Sequence, residues 1–170
     1  AMVLAAGLGQ RMRPITDVIP KPLVEIGGKT MLDHALDRLA AVGVAEAVVN
    51  VHHLAGKIEA HLAGRTRPRI TISDERAELL ETGGGVTKAL PLLGHEPFFH
   101  LNSDSLWVEN GVPNLQRLAE AWQPARMDML LMMAQVSRSM GYDGAGDFHL
   151  AGDGGLTRRK PGEEVPHIYA

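Results

Sequence analysis

Short apolar runs, glycine-rich turns and stretches of helical spacing alternate along this chain. Residues 2–6 are uninterruptedly apolar and predict a buried first strand. Residues 47–51 and 70–73 are two more β-type runs, and residues 97–101 a fourth. Leu32, Ala35, Leu36, Leu39 and Ala40 recur on one helical face up to Gly43, and Thr30-Met31-Leu32-Asp33 has the form of a capping box, so a helix is expected to start at Thr30. Residues 54–62 are amphipathic, a helix runs toward Leu90, and residues 113–122 place Leu115, Leu118, Ala119 and Trp122 on one face. Residues 127–134 predict a strongly apolar strand with its methionines as core filler. Residues 147–150 and 156–158 suggest a hairpin with Asp153-Gly154 near its turn, and residues 167–170 read as another strand beginning. Strands alternating with helices predict the α/β class, with three layers and a mostly parallel sheet.

Composition narrows this picture. At 170 residues, 45% hydrophobic and 22% charged, the chain is long enough to bury a core as a single domain. A formal net charge of −3 gives no general affinity for nucleic acid or membrane, and only 4% aromatic residues argues against a nucleic-acid module. Cysteine is absent, which excludes disulfides and thiolate chemistry. No apolar run approaches the roughly 20 residues needed to span a bilayer, and the start lacks a signal-peptide pattern, so a cytoplasmic location is expected. Both ends look cut: the chain begins at Ala1 inside its first apolar run and ends within a strand signal.

Any anion binding must therefore come from a local cluster, and residues 4–21 supply one. An apolar run turns on Gly7 and Gly9 and then presents Arg11, Arg13 and Lys21, opposed only by Asp17. Glycine lets the backbone approach a ligand closely and aim its N–H groups at an anion. A dinucleotide fingerprint is excluded because its third glycine position holds Met12. A Walker loop is excluded because the glycine required before Gly28-Lys29-Thr30 would stand at Leu23, behind the stiff Pro20-Lys21-Pro22.

Leu4-Ala5-Ala6-Gly7-Leu8-Gly9-Gln10-Arg11-Met12-Arg13-Pro14-Ile15-Thr16, followed by Pro20-Lys21-Pro22-Leu23, resembles the signature of the sugar nucleotidyltransferases. These enzymes join a sugar 1-phosphate to a nucleoside triphosphate and release pyrophosphate. Leu80-Glu81-Thr82-Gly83-Gly84-Gly85-Val86, where a loop is expected to turn into a helix, resembles the nucleobase-binding loop of the same family. Its Glu-Thr-Gly-Gly-Gly form looks most like the N-acetylmuramate 1-phosphate uridylyltransferase branch. The resemblance implies a Rossmann-like nucleotidyltransferase fold with a mixed sheet, one domain over residues 1–170 lacking its C-terminal part, and roles for particular residues. Arg11 would hold the departing pyrophosphate, and Lys21 would bridge the α-phosphate and the sugar phosphate. Leu4, Ala6, Gly7, Gly9, Glu81, Thr82 and Gly83 would bind the nucleotide.

Asp104, in Asn102-Ser103-Asp104-Ser105 after the fourth apolar run, stands where open α/β sheets bind ligands and is the expected Mg²⁺ ligand. Ser103 departs from the glycine usual in the family, and a second metal carboxylate, common far downstream in relatives, has no matching motif before Ala170. Adjacent strand residues point to opposite faces, so His52 and His53 do not form a metal pair. Asn50 and His53, at a strand end, could line the sugar or base pocket. Arg65, Arg67 and Arg69 read as a solvated loop. The same first motif also fits GTP with mannose 1-phosphate, and a nucleotide-sensing subunit without turnover is a third reading. The sequence leaves the oligomeric state open.

Overall fold

The structure is a computed structural model and describes residues 1–169. Its chain divides into two compact units, Ala1–Leu106 and Trp107–Ala170.

The first unit is built on a parallel sheet. Its elements are β1 (Met2–Leu4), α1 (Ile15–Val18), β2 (Glu25–Ile26), β3 (Lys29–Thr30), α2 (Met31–Ala41), β4 (Glu46–Val51), α3 (Ala55–Leu62), β5 (Arg69–Asp74), α4 (Glu81–Leu93) and β6 (His100–Asn102). Four of the strands form one sheet in the order β5-β4-β1-β6, and every pairing in it is parallel. Parallel strands are buried on both faces, which is why β1 and β4 are apolar without alternation. Met2 and Val48 face α4, packing with Ala89, Val86 and Leu93. Their neighbours Val3 and Val49 point the other way and are equally sealed from solvent. Helices α2 and α3 each bury an apolar stripe, Leu32, Ala35, Leu36 and Leu39 on the one and Ala55, Ile58 and Leu62 on the other. Thr30 caps α2 where the capping-box pattern expects it: its hydroxyl oxygen accepts the Asp33 N–H at 3.0 Å, and its hydroxyl donates to Asp33 Oδ2 at 2.8 Å.

Several boundaries differ from expectation for local reasons. Strand β1 stops at Leu4 because the next N–H, that of Ala5, donates to the Asn50 side chain at 2.7 Å instead of continuing a ladder. Strand β6 is His100–Asn102 rather than residues 97–101; Pro97 has no N–H to donate. The three glycines at 83–85 lie inside the first turns of α4, not in a loop ahead of it. The expected arginine loop is held by ion pairs, Arg65 with Asp33 and Asp37, and Arg69 with Glu46.

The second unit holds α5 (Asn114–Ala121) and four antiparallel strands, β7 (Met133–Gln135), β8 (Phe148–Leu150), β9 (Leu156–Arg158) and β10 (His167–Tyr169), in the order β7-β10-β8-β9. The expected hairpin is β8 and β9, with Gly154 at φ +87 in its turn. The long apolar strand expected over residues 127–134 is not formed: pairing starts at Met133, and Met129 is 73% exposed, so these methionines do not fill a core. Among the described residues no helix is long and apolar enough to cross a membrane.

Candidate active site

The carboxyl ends of β1, β4 and β6 open onto one cleft of about 460 Å³, within the range of small-molecule sites. Parallel strands direct their carboxyl ends to the same edge, so the loops that follow β1 and β6 must meet there. Arg11, Lys21 and Asp104 all line this cleft, with Leu4, Ala6, Gly7 and Gly9 along its floor loop. Asn50, Glu81 and Thr82 line it too. Gly83 and His53 are not among its lining residues.

The loop after β1 is shaped from behind. Gly9 has φ +62, and its carbonyl accepts the Thr16 hydroxyl at 2.9 Å. A Cβ on Gly9 would lie 2.8 Å from Thr16 Cγ2 and 3.3 Å from Lys21 Cβ, so glycine is required both for the left-handed turn and for the close approach of Lys21. His53, expected at a sugar or base pocket, instead donates from Nε2 to the Thr16 carbonyl at 2.8 Å and buttresses this loop. The turn Gln10–Met12 then carries Arg11 into the cleft, exposed and with no ion-pair partner among the described residues. Arg13 is drawn aside by Asp17 at 3.3 Å and does not line the cleft.

Lys21 opens a short turn between the buried Pro20 and Pro22, which fix its backbone. Its ammonium pairs with Asp104 Oδ2, both side chains being partly exposed. Asp104 Oδ1 keeps no partner among the described residues. Ser103 is buried, its N–H donating to the Leu4 carbonyl at 3.1 Å, and this bond fixes Asp104 beside the end of β1.

The opposite wall is the start of α4. No side chain caps it, so its first N–H groups are available to a ligand. Behind it lies Glu75, which is 1% exposed and was not singled out by the sequence. In Asp74-Glu75-Arg76 it reads as one more surface charge. Asn50, expected to touch substrate, is 2% exposed and has both ends of its amide engaged, by the Ala5 N–H at 2.7 Å and by Glu75 Oε1 at 2.9 Å.

The floor therefore offers a glycine loop and two cations, with the Asp104 carboxylate and its free oxygen beside Lys21, and the opposite wall an uncapped helix start. That combination suits a polyphosphate with a flat group beside it. Asp104 also fits a hard divalent cation, which takes oxygen ligands and needs few protein carboxylates when phosphates complete its shell. No cluster of three or more metal-ligating side chains exists among the described residues.

Known proteins agree with this description. The MobA-like NTP transferase domain matches residues 1–143. The N-acetylmuramate alpha-1-phosphate uridylyltransferase of Caulobacter vibrioides is 51% identical over 99% of this chain, which spans 72% of that protein. The protein of the same name from Neisseria meningitidis is 46% identical over 62% of the chain, which spans 47% of it. The mannose-1-phosphate guanyltransferase of Neurospora crassa is 42% identical over 61% of the chain and matched over 30% of its own length. Among solved structures, HddC from Yersinia pseudotuberculosis complexed with GMP-PN superposes with a TM-score of 0.68 at 21% identity, covering 98% of this chain and 72% of that one. A UDP-glucose pyrophosphorylase complexed with UDP-glucose gives a TM-score of 0.60 at 20% identity over 70% of this chain and 51% of its own. These two likenesses concern the fold, which is the α/β fold of nucleotidyltransferases. By its glycine loop, its cleft and the domain match over most of its length, the chain belongs to the MobA-like NTP transferase family, whose members are nucleotidyltransferases.

Proposed function

We propose that this chain joins a nucleoside triphosphate to a sugar 1-phosphate, with UTP and N-acetylmuramate 1-phosphate as the pair. An oxygen of the sugar phosphate attacks the α-phosphorus in line, the bond to the β-phosphate oxygen breaks, and pyrophosphate leaves. Both reactants are already anionic, so no protein nucleophile or general base is needed; the residues must position and neutralise. Arg11, unpaired in the cleft, would hold the β- and γ-phosphates as they depart. Lys21 would exchange its bond to Asp104 for the α-phosphate and the incoming sugar phosphate. The N–H groups of Gly7 and Gly9 would support the triphosphate, and the start of α4, Glu81 to Gly83, would receive the base. Asp104 would hold Mg²⁺, which when bound neutralises charge on the phosphate oxygens.

The observation that carries this reading is the convergence of Arg11, Lys21 and Asp104 on one cleft beside the glycine loop. The 51% identity to the Caulobacter protein supports this choice of base and sugar, and a place in peptidoglycan recycling in the cytoplasm is part of the same proposal. Pyrophosphate release with each common nucleoside triphosphate, Mg²⁺ and a panel of sugar 1-phosphates tests it. The fastest release is expected with UTP and N-acetylmuramate 1-phosphate. Faster release with GTP and mannose 1-phosphate would move the chain to the guanylyl branch, which the Neurospora relative keeps in view. Nucleotide binding without release would favour a sensing subunit.

A further inference from the structure

One chain of hydrogen bonds, buried at Asn50 and Glu75, ties the two cleft walls together. The Ala5 N–H donates to Asn50 Oδ1 at 2.7 Å, Asn50 Nδ2 donates to Glu75 Oε1 at 2.9 Å, and the Leu80 N–H donates to Glu75 Oε2 at 3.3 Å. Each end attaches between cleft-lining residues, Leu4 and Ala6 around Ala5, Leu79 and Glu81 around Leu80. The backbone of Glu75 is itself clamped: its N–H donates to the Val51 carbonyl at 2.8 Å, and its carbonyl accepts from His52 Nδ1 at 2.6 Å. Leu80 is followed by Glu81 at φ +56, a backbone conformation that side-chain-bearing residues hold only when their surroundings impose it. Gly85 rests on the same pair; a Cβ there would lie 2.8 Å from Glu75 Oε1 and 2.9 Å from Asn50 Nδ2.

We propose that Glu75 is a positioning residue: it fixes the separation of the glycine loop and the start of α4, so that a nucleotide whose phosphates are seated on the loop meets the helix start with its base. This rests on the nucleotidyl-transfer reading above. Glu75 supplies two acceptors to two donors, and no other residue type of its shape does so. Glutamine in its place accepts from Asn50 or from Leu80 but opposes the other with an NH₂ group, and turning Asn50 over only transfers the mismatch to the Ala5 N–H.

Calorimetric titration of Glu75→Gln with UTP and with inorganic tripolyphosphate tests the proposal, alongside steady-state KM values for UTP and the sugar 1-phosphate. Tripolyphosphate has no base and engages only the loop. Glu75→Gln is expected to weaken UTP binding and raise its KM by about tenfold or more, as displaced binding groups do. Tripolyphosphate affinity and the KM of the sugar 1-phosphate should stay within about twofold of wild type. A merely structural role would lower the folded fraction, and with it kcat, leaving both KM values alone. Gly85→Ala gives the second variant: its methyl would lie 2.8 Å from Glu75 Oε1 and 2.9 Å from Asn50 Nδ2 and so pushes directly on the pair, and the same split, read on protein whose circular dichroism shows it folded, is expected even if Glu75→Gln does not fold. Ile58→Val, a core truncation on α3, serves as the destabilised control with unchanged KM values. UTP binding unchanged in the folded variants, or UTP and tripolyphosphate weakened equally, would overturn the proposal. Wild-type protein that binds no nucleoside triphosphate would sink the transfer reading and this inference with it.

Discussion

At Gly9 a single backbone angle decides whether the cleft has a floor. Its φ of +62 and the 2.8 Å separation between a built Cβ and Thr16 Cγ2 leave alanine neither the conformation nor the room. The left-handed backbone alone costs a non-glycine residue about 1–2 kcal/mol, and relief of the clash would move Thr16 or the loop. Gly9→Ala is expected to lower stability by at least that amount in denaturant unfolding and to weaken tripolyphosphate binding; wild-type values for both would contradict the account of this loop. An anion site at Gly9, Arg11 and Lys21 was readable from a glycine turn followed by cations, whereas the phosphate each cation would hold came from the family resemblance. Glu75 was not readable, because a carboxylate becomes structural only when distant segments bury it, and Asp74-Glu75-Arg76 has the composition of a surface turn. Asn50 and His53 were noticed for the right location, a strand end, yet their polar atoms face protein partners in the fold.

Helix α2 illustrates a different kind of support. Thr30 caps it, and Asp33 and Asp37 project one turn apart to grip Arg65, with His61 at 2.8 Å from Asp33 and Lys29 at 2.6 Å from Asp37. Partial burial raises the affinity of Asp37 for its proton, but hydrogen bonds from Lys29 and Arg65 outweigh it and hold the carboxyl below its ordinary value of 3.8. A carboxyl depressed in the folded state stabilises above its unfolded value, and that contribution is lost as pH falls through the folded value. Asp37 is 44% exposed, so its share is about 0.5–1 kcal/mol after solvent screening. Asp37→Asn should therefore be slightly less stable than wild type at pH 7, and the gap should close between about pH 5 and pH 2 in urea titrations. A gap that persists in acid would mean that packing, not charge, is what the substitution removes. The helix and its cap were readable from periodicity and the Thr-x-x-Asp pattern; the ion pairs that bind α2 to Arg65 were not, since they join residues some thirty positions apart.

The chain as a whole carries its candidate chemistry within the first of its two units, where every residue lining the cleft lies. Its parallel sheet was readable because buried strands announce themselves as short apolar runs bounded by turns. The second unit was read less well: residues 127–134 have strand composition, but composition does not say where a pairing partner stops, and only Met133–Gln135 pairs with β10. The central claim is that Lys21 acts on the phosphates and is not part of the scaffold. Its pair with Asp104 is partly exposed, so losing it costs little stability. Pyrophosphate release by Lys21→Ala, with UTP, N-acetylmuramate 1-phosphate and Mg²⁺, is the decisive comparison with wild type. Turnover is expected to fall by on the order of 10² or more while the melting temperature stays near that of wild type. Near-normal turnover in the folded variant would contradict the account.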